Sequence, residues 1–79
     1  MHELGLARNI VAIVSESAEG RAVARVRLAV GPRACVERRS LSYCFGIASA
    51  GTPLDGATLE YLDAPDDTLL IRDFEREGG

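Results

Sequence analysis

The chain begins Met1-His2-Glu3, a set of nitrogen donors that suits a square-planar metal ion. The α-amine of Met1, a ring nitrogen of His2 and the deprotonated backbone amide between them can close small chelate rings around one ion. All-nitrogen tetragonal coordination favours Ni(II) or Cu(II). Glu3 can add its amide nitrogen, its carboxylate, or only a negative charge at a helix start. The alternative for His2 is a frayed terminal histidine, and three residues alone do not distinguish the two.

The remaining residues provide no catalytic arrangement. The chain has a single histidine. No Ser-His-Asp or Cys-His arrangement with supporting spacing and no phosphate-cradling glycine loop is present. The sequence therefore predicts a binding protein and not an enzyme.

The two cysteines, Cys35 and Cys44, are too few for a disulfide framework. Cys44 lies on the apolar face of a predicted helix and is expected in the core. Cys35 precedes that helix, where it could approach the N-terminus as an extra metal ligand. A small buried hydrophobe is the preferred interpretation of Cys35.

Charge is segregated along the chain, although the net charge is only −3. Residues 21–39 contain six arginines against Glu37 alone, whereas residues 55–77 contain eight carboxylates against Arg72 and Arg76. The negative net charge of the chain argues against general nucleic-acid binding. The basic middle could meet an acidic protein partner, or it could pair with the chain's own acidic segment.

The 79 residues, 47% of them hydrophobic, indicate one small domain without internal repeats. No run approaches the roughly 20 apolar residues of a membrane span, and the N-terminus lacks the pattern of a signal peptide. We therefore expect a cytoplasmic protein.

Two segments have helical periodicity. From 4 to 19, apolar residues recur at three- and four-residue steps, and Gly20 is expected to end the helix. A second helix is predicted over 36–50. The residues expected on the buried faces of the two helices are Leu6, Ile10, Ile13, Val14, Ala18, Leu41, Cys44, Phe45 and Ala48.

Three segments have strand patterns, over 22–30, 57–62 and 68–75. The order helix, strand, helix, strand, strand predicts an α+β fold of two layers, a three-stranded mixed sheet with both helices on one face. A crossover makes the first two strands parallel. A hairpin turn at 63–67 makes the third strand antiparallel to both, and we expect the third strand in the middle. Phe45, Tyr61 and Phe74 are expected to serve packing.

These segments, in this order, resemble the HypA/HybF nickel chaperones. The residues that carry the resemblance are Met1-His2-Glu3-Leu4, Val26 to Gly31, Cys35-Val36-Glu37, the helix containing Phe45 with Ala50-Gly51-Thr52, and Leu69 to Arg72. The resemblance implies a single nickel-binding domain over 1–77. The tail at 78–79 is expected to be flexible because it ends the chain.

The resemblance also implies a function and its partners. Members of the family bind Ni(II) through the N-terminal His-Glu segment, which places the metal ligands here on Met1, His2 and Glu3. They serve maturation of [NiFe]-hydrogenases and, in some organisms, urease. They work with the GTPase HypB and pass nickel to the hydrogenase large subunit.

The chain departs from the family in one respect. Family members carry a zinc-binding lobe with two C-x-x-C pairs between their last two strands, where this chain has only the turn 63–67. We therefore expect no zinc, and an open sheet edge that could form a homodimer. The loss of the lobe is compatible with a natural variant and with a trimmed chain. An alternative function is a metal-free or zinc-less adaptor module of the nickel-enzyme maturation machinery.

Overall fold

The structure is a computed structural model that describes residues 2–78, so Met1 and Gly79 lie outside the described residues. The predicted order of elements is confirmed, with bounds that move by one or two residues. The elements are α1 (Glu3–Ser17), β1 (Val23–Val30), α2 (Arg38–Ser49), β2 (Thr58–Asp63) and β3 (Leu69–Arg76). As expected, α1 ends ahead of Gly20, which adopts the left-handed φ of 78°.

The three strands form one mixed sheet in the order β2-β1-β3. β1 pairs with β2 in parallel and with β3 in antiparallel orientation, as predicted. The expectation that β3 lies in the middle is wrong, and the segment between β2 and β3 is not a hairpin turn. β1 takes the centre because it is the most apolar strand, with Val23, Val26 and Leu28 almost completely buried.

The segment 64–68 crosses over the end of β1. Five extended residues span roughly 16 Å, which exceeds the roughly 10 Å across two strand spacings. The crossing is held by hydrogen bonds from the Gly31 N–H to the Thr68 carbonyl at 2.8 Å and from the Arg33 N–H to the Asp66 carbonyl at 2.7 Å. A Cβ atom at Gly31 would overlap the carbonyl oxygens of Pro65 and Asp66. Gly31 is therefore required by a close approach of two backbones.

The core lies between the two helices and one face of the sheet. Both helices contribute buried residues to one cluster with Val26, Leu28 and Val30 of β1. The buried residues of the two helices are Ala7, Ile10, Val11, Val14, Leu41, Phe45 and Ser49. Phe45 is buried as expected, and Tyr61 and Phe74 pack partly buried against the cluster. The α+β fold of two helices and a three-stranded mixed sheet is thus confirmed.

The predicted buried face of α1 is wrong at one residue. Ile13 is 54% exposed, whereas Ala7 and Val11 are buried. α1 packs against α2 as well as against the sheet. The face of α1 that is buried is therefore rotated about the helix axis from the face predicted by the apolar periodicity. Leu6 is only partly buried, and Ile13 lines a shallow groove between α1 and β3.

Candidate metal-binding N-terminus

His2 stands immediately before α1 and is exposed. Its backbone is extended (φ −84°, ψ 100°), its side chain makes no capping hydrogen bond, and its carbonyl accepts the Leu6 N–H at 3.1 Å. The first amides of a helix have no acceptor within the helix. The imidazole of His2 and the amides of residues 2 and 3 are thus available to a ligand. Met1, predicted to supply the amine, lies outside the described residues.

Glu3, in the first turn of α1, is half-buried. Its Oε2 accepts the backbone N–H of Glu37 at 3.4 Å. This hydrogen bond joins the start of α1 to the loop that precedes α2. A carboxylate at this end of a helix is also favoured by the helix dipole. This contact with Glu37 is not one of the three roles predicted for Glu3, and each of those roles stays a prediction.

Cys35 lies in the loop between Gly31 and Glu37 and is exposed, with a left-handed φ of 55°. The expectation that Cys35 is a buried hydrophobe is therefore wrong. The neighbouring Ala34 takes the buried position, at 8% exposure. Cys44 is partly buried against the core. Both thiols are free, so the two cysteines form no disulfide.

Within residues 2–78, no group of three or more His, Cys, Asp or Glu residues is placed to hold a metal ion. Cys35 is therefore not assembled with His2 and Glu3 into a side-chain ligand set. A metal site at the start of α1 would have to draw on backbone nitrogens together with the imidazole. Such donors match the square-planar chemistry of Ni(II).

Glu37 is a residue that sequence reasoning missed, because it was considered only as a charge and as part of a family motif. Its carboxylate caps α2, accepting the Ser40 N–H at 2.8 Å and the Arg39 N–H at 3.1 Å. The hydrogen bond from the Ser40 amide, followed by that from Arg39, lowers the pKa of Glu37. Glutamate is not among the residues usually preferred at this position, so the sequence carried no clear signal of the cap.

Within residues 2–78, three of the six arginines of the segment 21–39 form salt bridges with carboxylates of the same chain. Arg25 and Arg27 of β1 lie between the carboxylates of the two outer strands on the face of the sheet that the helices leave open. The salt bridges are Arg25 with Glu60 and Glu75, and Arg27 with Glu60, Asp73 and Glu75. Of the two interpretations of the charge segregation, internal pairing describes these two arginines.

Arg38 is also engaged. Its guanidinium lies 3.7 Å from Asp63 and 5.3 Å from the centre of the Tyr61 ring. The Tyr61 hydroxyl lies 2.7 Å from the Ser42 hydroxyl and donates to the Arg38 carbonyl at 2.9 Å. Burial raises the pKa of Tyr61. Arg33 and Arg39, by contrast, form no salt bridge to any carboxylate in the described part of the chain.

The fold and the open helix start define a small α+β domain, and comparison with known proteins identifies its family. The model of the family described as "Hydrogenase/urease nickel incorporation, metallochaperone, hypA" matches residues 1–68. The chain therefore belongs to the HypA family. The match ends one residue before β3, so the resemblance of the last strand stays a prediction.

Several relatives bear the name hydrogenase maturation factor HypA. Those of Trichodesmium erythraeum (strain IMS101) and Trichormus variabilis (strain ATCC 29413 / PCC 7937) are 45% and 49% identical over 65 residues, 82% of this chain. That of Nostoc punctiforme (strain ATCC 29133 / PCC 73102) is 48% identical over the same length. The aligned residues make up 57% to 58% of these relatives. The chain thus spans little more than half the length of the relatives it matches.

Across residues 2–78, no helix has both the length and the apolar character needed to cross a membrane.

Proposed function

We propose that this chain is a nickel metallochaperone for the maturation of [NiFe]-hydrogenase, with urease as the alternative target enzyme. Ni(II) is bound by the N-terminal segment Met1-His2-Glu3. The observation that carries the proposal is the family match from residue 1, combined with an exposed His2 at an open helix start. The family description names nickel incorporation, and the donor set suits that metal.

The position at the helix start favours nickel binding in two ways. The amides of residues 2 and 3 can be deprotonated without breaking a helical hydrogen bond. The negative charge that results is stabilised by the helix dipole, by about 0.3 to 1 kcal/mol. The body of the domain then serves to orient the donors, and a site of so few ligands can release the metal again.

The proposal includes partners. We expect the chain to act in the cytoplasm, to bind the GTPase HypB and to pass nickel to the hydrogenase large subunit without itself being an enzyme. That the domain needs no zinc also stays a prediction, which metal analysis of the purified protein checks. The homodimer stays a prediction as well, and β2 and β3 are the two edges of the sheet at which a copy could pair.

The test is a nickel titration of protein without any tag ahead of Met1. We expect calorimetry to detect binding and absorption spectroscopy to show the d–d band of a square-planar site. His2→Ala should abolish both signals because the ring nitrogen is lost. As a control that keeps every side chain, acetylation of the Met1 α-amine should also abolish the square-planar band, since the blocked amine can no longer bind the metal. Equal nickel binding by His2→Ala and the unaltered chain would remove the proposed site.

The adaptor function is the second candidate, and the free arginines favour it. Of the two arginines at the start of α2, Arg38 already contacts Asp63 and the ring of Tyr61. Arg33 and Arg39 form no salt bridge within residues 2–78 and lie near the start of α2, so they could meet an acidic partner surface.

The adaptor function is tested by charge reversal. We expect Arg33→Glu with Arg39→Glu to weaken capture of HypB in a pull-down, whereas the matched reversal Arg8→Glu on exposed α1 should not. If nickel transfer in the presence of HypB continues undiminished while capture is lost, docking through these arginines is not part of delivery.

A further inference from the structure

Glu37 contacts the starts of both helices. Its backbone N–H donates to the Glu3 carboxylate at 3.4 Å. Its own carboxylate caps α2 through the amides of Arg39 and Ser40. One residue therefore links the first turn of α1 to the first turn of α2, although the two are 34 positions apart in the chain.

The link acts at the proposed nickel site. Glu3 follows His2 directly, and its amide is one of the candidate nitrogen donors. When the Glu3 side chain is held by Glu37, the backbone at residue 3 loses freedom before any metal binds. A site ordered in advance loses less entropy on binding. The carboxylate that makes the contact is correspondingly less available as a metal ligand.

We propose that Glu37 is a positioning residue for the N-terminal nickel site, with Glu3 as its anchor and not as a carboxylate ligand. This inference rests on the proposed function. The hydrogen bond from the Glu37 amide holds residues 2 and 3 in place, and the cap on α2 holds Glu37. The packing of α1 on α2 then sets the orientation of the donors.

The first experiment compares Glu37→Pro with Glu37→Ala in protein without a tag. Both variants lose the carboxylate that caps α2, but only proline also loses the N–H that reaches Glu3. The φ of Glu37, −89°, lies near the range of proline. We expect Glu37→Pro to bind Ni(II) about threefold to tenfold more weakly than Glu37→Ala, with an unchanged d–d band because the ligand atoms are unchanged. Equal affinities in two variants of equal thermal stability would overturn the proposal.

The second experiment compares Glu3→Gln with Glu3→Ala, and it does not depend on proline being tolerated. Glutamine keeps an oxygen acceptor for the Glu37 amide, whereas alanine does not, and both keep the backbone amide of residue 3. We expect Glu3→Gln to retain nickel affinity and band position and Glu3→Ala to lose about threefold to tenfold in affinity. An equal loss in both, or a shifted band in Glu3→Gln, would identify the carboxylate as a ligand and overturn the anchor.

His2→Ala distinguishes a failure of the proposed nickel site from a failure of the positioning role of Glu37. If His2→Ala binds nickel normally, the proposed function fails whatever Glu37 does. If His2→Ala loses nickel while the Glu3 and Glu37 pairs show no difference, the nickel site stands and the positioning role of Glu37 is wrong.

Discussion

Charged side chains on the open face of the sheet pair with one another, whereas His2 at the start of α1 is exposed to solvent. On the sheet, Arg25 and Arg27 pair with carboxylates of both neighbouring strands. At the start of α1, His2 is exposed and makes no capping hydrogen bond. Groups that are satisfied within the chain contribute to the fold. Groups that are left free at an ordered position are available to a ligand, which is the physical basis for placing function at the N-terminus.

The same contrast applies to the hydrogen bonds of the crossing segment 64–68 and those of the start of α1. Where 64–68 crosses β1, backbone groups of Gly31 and Arg33 are bonded to the crossing segment. The exposed start of α1 has one long-range hydrogen bond in the described structure, from Glu37 to Glu3. Substitutions in the first region should therefore change stability, and substitutions in the second should change metal binding.

The largest effect is expected from Gly31→Ala. The added Cβ would overlap the carbonyls of Pro65 and Asp66, so the crossing segment must move and its hydrogen bonds weaken. We expect a loss of about 2 to 4 kcal/mol in the free energy of unfolding, measured by urea denaturation.

Gly46→Ala is the matched control for this substitution. It lies within α2 with nothing near its Cβ, so the same chemical change should stabilise the domain by about 0.5 to 1 kcal/mol. If both alanine variants shift stability in the same direction, the close approach at Gly31 is not as described.

A smaller effect is expected from Arg27→Gln. Arg27 hydrogen-bonds to Asp73 and Glu75, and the bonds raise its pKa. Removal of the charge leaves Glu60, Asp73 and Glu75 with one cation fewer among them. The melting temperature should fall, and it should recover in part as salt rises toward about 1 M, where charges are screened within about 3 Å.

Arg8→Gln is the control, because Arg8 is exposed on α1 and forms no salt bridge within residues 2–78. It should leave the melting temperature nearly unchanged at every salt concentration. A fall equal to that of Arg27→Gln would mean that the pairs on the sheet add nothing to stability.

The smallest effect is expected from Glu75→Gln. It concerns the pH dependence of folding, which should differ from the pH dependence of nickel binding at the N-terminus. The hydrogen bond from Arg27 lowers the pKa of Glu75 below 4.5, the ordinary value. Because the folded state then binds protons less readily than the unfolded state, this contribution is present above pH 4.5 and is lost as the pH falls through the lowered pKa. Glu75→Gln should flatten the acid limb of an unfolding curve measured against pH.

Nickel binding should follow a different pH range. Its ligands must release protons, so affinity should weaken at mildly acidic pH, while the fold is still intact. Glu75→Gln should leave that binding profile unchanged. If the loss of nickel binding and the loss of folding coincide at every pH, the two regions are not independent.

Much of this molecule follows from interactions between residues close in the chain. The apolar periodicity of α1 and α2, the alternation in β1 and the turn at Gly20 depend on backbone preferences over a few residues. The five elements, their order and the α+β class could therefore be predicted. The nitrogen donors of Met1-His2-Glu3 can also be identified from residue type alone, but their binding of nickel stays a prediction.

Other features depend on which distant segments meet, and only the tertiary structure decided them. β1 lies in the centre because a strand with a neighbour at each edge is the most buried, which favours the most apolar strand whatever its position in the chain. Val11 replaces Ile13 on the buried face because α1 packs on α2 as well as on the sheet, and Cys35 faces solvent because Ala34 takes the core position. The hydrogen bond between Glu37 and Glu3 could not be predicted from the residues around either one, because it depends on how distant segments of the chain pack together.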